Sequence, residues 1–112
     1  MRRLAQATGW ILLLAIVAIS VVPPSLRPET ILPHDLEHAA IHFLTGCAFG
    51  LSRPNEFVAS LVGLIAFTLV VEFAQLWIPG RHARVSDFLV DAFAISMGLV
   101  VGAMFARIRQ RA

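Results

Sequence analysis

Four apolar runs organise this chain, at 4–22, 36–51, 57–78 and 88–106, and residues that helices avoid separate them. Pro23-Pro24 stops the first run, Ser52-Arg53-Pro54-Asn55 divides the second from the third, and Pro79-Gly80-Arg81 closes the third. A helix rises about 1.5 Å per residue, so a hydrocarbon core of roughly 30 Å takes about 20 residues to cross, close to the length of these runs. The pattern predicts helices at approximately 4–22, 35–51, 56–78 and 87–106. With only short loops between them, residues 1–112 form a single domain, an all-α integral membrane four-helix bundle.

Polar residues inside the runs are few and regularly spaced. His34, His38 and His42 recur every four residues in the second helix and are followed by Gly46 and Gly50 at the same interval. Positions i and i+4 share a helix face, so imidazoles and glycines form one stripe. The fourth helix repeats the design with Asp87, Asp91, Ala94, Gly98 and Gly102. Small residues at this spacing let helices approach closely in lipid, so the face that packs is also the face that bears the polar groups. Asp35 reads as the N-cap of the second helix and Ser86 as a helix cap before Asp87.

Glu72 and Gln75 lie in the most apolar run. A carboxylate at bilayer depth costs roughly 2.5–3.5 kcal/mol on the lenient insertion scale, so Glu72 has a task. By helical rise, Glu72 lies about 10 Å below Pro79, His42 about 10 Å below Asp35, and Asp91 about 6 Å below Asp87. All of them fall in one half of the bundle, together with Arg81 and Arg84 of the loop between the third and fourth helices. Single residues of this kind are commonly structural: Asp87 suits a helix start, and Arg81 could anchor a headgroup. Glu72, Gln75, His42 and Asp91 together lie too deep for capping or snorkelling to account for them.

Composition fixes the class. Hydrophobic residues make up 58% and charged residues 14% of the chain, and mean hydropathy is +0.80, far from the globular average of about 25% charged. Every basic residue except histidine is arginine. Arg2, Arg3, Arg53, Arg107, Arg109 and Arg111 would be cytoplasmic if the N-terminus is, leaving Arg27, Arg81 and Arg84 outside. That imbalance predicts a multi-pass protein of the cell (inner) membrane with both termini cytoplasmic and the polar half outward. A net charge of +2 with no basic stripe excludes a nucleic-acid partner. Cys47 is the only cysteine, so it forms no intrachain disulfide and reads as a small packing residue. An alternative for the first segment is a signal peptide, with Arg2-Arg3 as its charged start and Ala18-Ile19-Ser20 as a small-x-small site.

The run from Glu72 through Gln75 to Pro79-Gly80-Arg81, with Asp87 six residues beyond, resembles the signature of the VanZ-like membrane protein family. That signature is E-x-x-Q, then P-G-R, then a D four residues before an Asn. His42-Phe43 matches the family's H-F motif in the preceding helix, and the resemblance spans roughly residues 35–102. The chain departs from the family in three ways. His38-Ala39 stands where the family has Asp-Lys, Asp91 replaces the Asn, and Ala94 replaces a Gly, while Gly98 is kept. The founding member is associated with resistance to a glycopeptide antibiotic that targets the cell wall. The resemblance therefore implies an envelope-related role.

Two functions follow as expectations. In the first, the site performs acid/base chemistry on an amphiphilic envelope substrate. Glu72, Asp91 and His42 are then the catalytic groups, and Arg81, Gln75, Asp87 and His38 bind the substrate. In the second, a non-enzymatic accessory protein binds a lipid headgroup or an antibiotic moiety in the same cavity. Membrane lipids or an amphiphilic envelope precursor are the expected partners of either. His38 and His42 are a feasible chelating pair with Glu72 or Asp91, but the H-F motif supplies one histidine and Arg81 would oppose a cation. No metal or other cofactor is therefore assigned.

Overall fold

Each apolar run becomes one helix. The structure, a computed structural model, describes residues 2–21, 34–75, 77 and 85–111, with side chains except at 21, 34, 35 and 85–87. The helices are α1 (Arg2–Val21), α2 (His34–Ser52), α3 (Phe57–Gln75) and α4 (Val85–Arg111), with a 3₁₀ turn, Pro54–Glu56, between α2 and α3. Pro54 starts that turn, where a missing N–H costs nothing, and the Arg53 side chain reaches Glu56 at 3.3 Å. No strand occurs among the described residues, so the protein is all-α.

The boundaries differ from expectation at several ends. Helix α4 runs five residues past the expected end, because 107–111 contain neither Gly nor Pro and their arginines favour a helix C-terminus. Asp35, expected at the cap, is the second residue of α2, which begins at His34, and its side chain lies outside those described. Ser86 likewise falls within the first turn of α4. The expected extension of α3 through Ile78 lies outside the described residues.

Among the described residues, α1, α3 and α4 are long and apolar enough to cross a membrane, and α2 carries Asp35, Glu37 and three histidines in its N-terminal half. Even so, α2 sits against α4 along most of its length. Glycines make this possible. A Cβ built on Gly46 would fall 2.7 Å from the Leu99 backbone nitrogen, and one on Gly50 would fall 2.6 Å from that of Ala103. From the other side, Cβ atoms on Gly98 and Gly102 would overlap the carbonyls of Phe43 and Cys47. Backbone therefore lies on backbone through four glycines, and Cys47 is part of the surface they meet. The pairings 46 with 99 and 50 with 103 advance together, so α2 and α4 are parallel.

α1 runs the other way. Gly9 lies against the Phe49 ring, Trp10 meets that ring edge-on at 5.5 Å, and Arg2 and Ala5 border a cleft with Leu51, Ala106 and Arg109. α3 turns Leu64, Thr68, Glu72 and Gln75 inward at helical spacing and packs mainly on α4. Phe49, Leu64, Ile95 and Leu99 form the apolar core. Val62, Leu69, Phe73, Phe93 and Met104 face outward, as lipid-facing side chains do. These outward faces and three spanning helices make the chain a multi-pass integral membrane protein.

Candidate functional site

The parallel pairing of α2 and α4 decides which polar groups meet. One turn N-terminal to the first glycine contact, His42 on α2 comes opposite Asp91 on α4, and His38 lies one turn further up. Asp91 Oδ2 is 3.8 Å from His38 Nδ1, and Oδ1 is 3.8 Å from His42 Nδ1. All three residues are buried, His42 to 2% exposure. The imidazoles stack at 6.1 Å with 25° between their planes, the separation of one helical turn. A single carboxylate thus straddles two rings at a spacing too long for a hydrogen bond to either.

His42 is held by its own helix. Its Nδ1 lies 2.7 Å from the His38 carbonyl oxygen. A carbonyl only accepts, so Nδ1 donates, and in the neutral ring the lone pair is on Nε2. One ligand atom from each of His38, His42 and Asp91 lies within 4.8 Å of the others, so this trio has the composition and proximity to hold a metal ion.

Three hydroxyls of α2, α3 and α4 are occupied differently. Thr45 donates to Ile41 O (2.7 Å), Thr68 to Leu64 O (2.9 Å) and Ser96 to Ala92 O (2.7 Å), each one turn back in its own helix. Such bonds satisfy a hydroxyl without a partner helix. The cross-helix polar contact between α2 and α4 is accordingly made by the histidines and the carboxylate.

Glu72 and Gln75 are buried on the inward face of α3 at the same end of the bundle, and Glu72 is engaged there, though outside the trio of His38, His42 and Asp91. Counting helical rise back from the start of α3 beside the end of α4, Glu72 is about level with Asp91. Of the expected site residues, then, the structure brings His42, Asp91 and His38 together and buries Glu72 and Gln75 nearby in depth. Arg81 lies outside the described residues, as does the side chain of Asp87. His38, expected to contact substrate, faces the same carboxylate as His42.

Ser20 is one residue that sequence reasoning did not assign to the site. It is 1% exposed in the last turn of α1, and its Oγ has no hydrogen-bond partner among the described residues. α1 and α2 are antiparallel and Trp10 is level with Phe49, so Ser20 reaches about the level of His38. A lone small polar residue in a helical last turn carries no sequence signal for this.

The opposite end of the bundle is basic. Arg107 Nη2 donates to the Pro54 carbonyl at 3.2 Å, and Arg2 and Arg109 line one cleft. A second cleft of about 240 Å³ opens between α1 and α3, walled by Trp10, Phe49, Leu64 and Phe67 with Arg53 and Glu56 at its mouth. Among the described residues, no arginine stands at the His–Asp end. Comparison of the chain with family models, curated proteins and solved structures finds no match. The site must therefore be judged on its own chemistry.

Proposed function

We propose that this is a VanZ-like protein of the cell (inner) membrane whose outward-facing polar site performs acid/base chemistry on an amphiphilic envelope substrate, in a process related to glycopeptide action on the cell wall. The observation that carries the reading is the buried meeting of His38, His42 and Asp91 across two helices. A carboxylate and two imidazoles in an apolar bundle cost stability and are not needed for packing, which the glycine contact already provides. Asp91 and His42 exchange the proton, Glu72 is a second carboxylate at the same depth, and Gln75 orients the substrate. Arg81 and Asp87 complete the binding side by resemblance to the family's motif.

Orientation follows from charge. Arg2, Arg53, Arg107 and Arg109 gather at one end, and the positive-inside bias makes that end, with both termini, cytoplasmic. The polar end then opens to the outer leaflet, where envelope precursors are used.

The test is turnover and binding of a lipid-linked, phosphate-bearing envelope precursor by protein in nanodiscs, alongside glycopeptide susceptibility of cells. Asp91→Asn and His42→Gln should abolish turnover and the cellular effect while the protein stays folded. Binding without turnover in the unaltered protein would favour the accessory, non-enzymatic role. Neither binding nor turnover, with unchanged susceptibility, would overturn the reading.

A further inference from the structure

We propose that His38, His42 and Asp91 form a site for one divalent transition-metal ion, best suited to zinc. The inference uses residues of the site proposed above and gives His42 and Asp91 a different task, metal ligation in place of proton exchange; metal content is read without any substrate, so the two readings fail separately.

The geometry is that of a site drawn slightly open. Ligand atoms bound to one tetrahedral zinc at 2.0–2.1 Å stand about 3.4 Å from one another. The three candidate atoms lie within 4.8 Å, and the His38–Asp91 separation is 3.8 Å, nearer to a ligand–ligand edge than to a hydrogen bond of about 2.9 Å. Small side-chain rotations close the difference. The donor set, two imidazoles and a carboxylate, suits zinc over magnesium or calcium, which take oxygen ligands. Three protein ligands leave a fourth position open, as zinc sites that act on substrates do.

Two further features fit a ligand role. Histidines that bind a metal commonly donate their other ring N–H to a backbone carbonyl, which fixes the ring and the tautomer. His42 makes that bond to His38 O through Nδ1, the nitrogen 3.8 Å from Asp91 Oδ1, so ligation falls to Nε2 and requires the ring to turn toward the carboxylate. The glycine contact one turn away locks the backbones of α2 and α4, so the ligands from two helices are held in register. Electrostatics agrees. Asp91 is buried, and the described arginines all lie at the other end of the bundle, so a cation here neutralises the carboxylate where it stands.

Such an ion would also bring a nucleophile to the site. The sequence offers Ser86 as its one candidate nucleophile, and zinc would supply another by lowering the pKa of a bound water to about 7.

The test uses purified full-length protein in detergent, with zinc(II) and cobalt(II) as probes. We expect one zinc per chain by elemental analysis, a higher Tm with added zinc, and a visible cobalt(II) band of the tetrahedral type. His38→Gln, His42→Gln and Asp91→Asn should each weaken zinc binding at least tenfold, and Glu72→Gln should keep it. If the trio variants fail to fold, the unaltered protein still decides: no stoichiometric zinc, no Tm response and no cobalt band overturn the proposal. Folded trio variants that retain zinc overturn it too.

Discussion

The same substitution at two glycines should have opposite effects. At Gly50 a new Cβ would sit 2.6 Å from the Ala103 nitrogen, about 0.8 Å short of the 3.4 Å at which ordinary contact begins, and would also overlap Leu99 O. Both obstacles are backbone, so no side chain can swing away, and α2 must move off α4. Overpacking of this kind costs typically about 1–3 kcal/mol. At Gly63, on α3, the new methyl meets nothing within 4 Å. There only intrinsic preference acts, and Ala is favoured over Gly in a helix by about 0.8–1.0 kcal/mol in water. That preference is common to both sites and cancels in the comparison, so Gly50→Ala should be less stable than Gly63→Ala by about 1–3 kcal/mol. Unfolding by SDS in mixed micelles, followed by circular dichroism, measures the difference. Equal stability of the two variants would mean that α2 and α4 do not meet backbone to backbone, and the His–Asp alignment built on that contact would fall with it.

Other outcomes follow from the same contacts. Thr45→Val should change stability by less than about 0.5 kcal/mol, because the hydroxyl bonds within its own helix; a loss of 1–2 kcal/mol in the same assay would reveal a cross-helix partner. Arg107→Gln removes the guanidinium that donates to Pro54 O and should cost about 1 kcal/mol, read as a lower unfolding midpoint. A double-mutant cycle on Trp10 and Phe49 should give a coupling of about 0.5–1.5 kcal/mol for the edge-on rings, and a zero coupling would detach α1 from α2. Reporter fusions after Gly80 and after Ala112 should report opposite compartments; matching compartments would refute the orientation of the site.

The helices were legible because proline, glycine and short polar segments interrupt apolar runs of spanning length. The pairing of α2 with α4 was half legible. Histidine and glycine on one stripe, with aspartate and glycine on another, announce that two faces meet; His42 sits one turn before the first glycine of its stripe and Asp91 two turns before the first of its own. Glu72 shows where such reasoning stops. Rise per residue gives depth, and by that measure alone Glu72 comes about level with Asp91. Azimuth advances about 100° per residue, and the inward face of α3 carries no glycine stripe to say which neighbour it meets. The end of α4 was misjudged because hydropathy falls where the arginines begin, although arginine continues a helix as readily as leucine.

The glycine contact also bears on how the chain is made. α2 carries the two imidazoles of the site, and the surface that accepts it belongs to α4, about fifty residues later in synthesis. Until α4 has entered the bilayer, α2 has no backbone to lie on, and its imidazoles have no carboxylate to face. The sequence distance between partners therefore means that the α2–α4 contact, and with it the meeting of His42 and Asp91, forms only after α4 has been made.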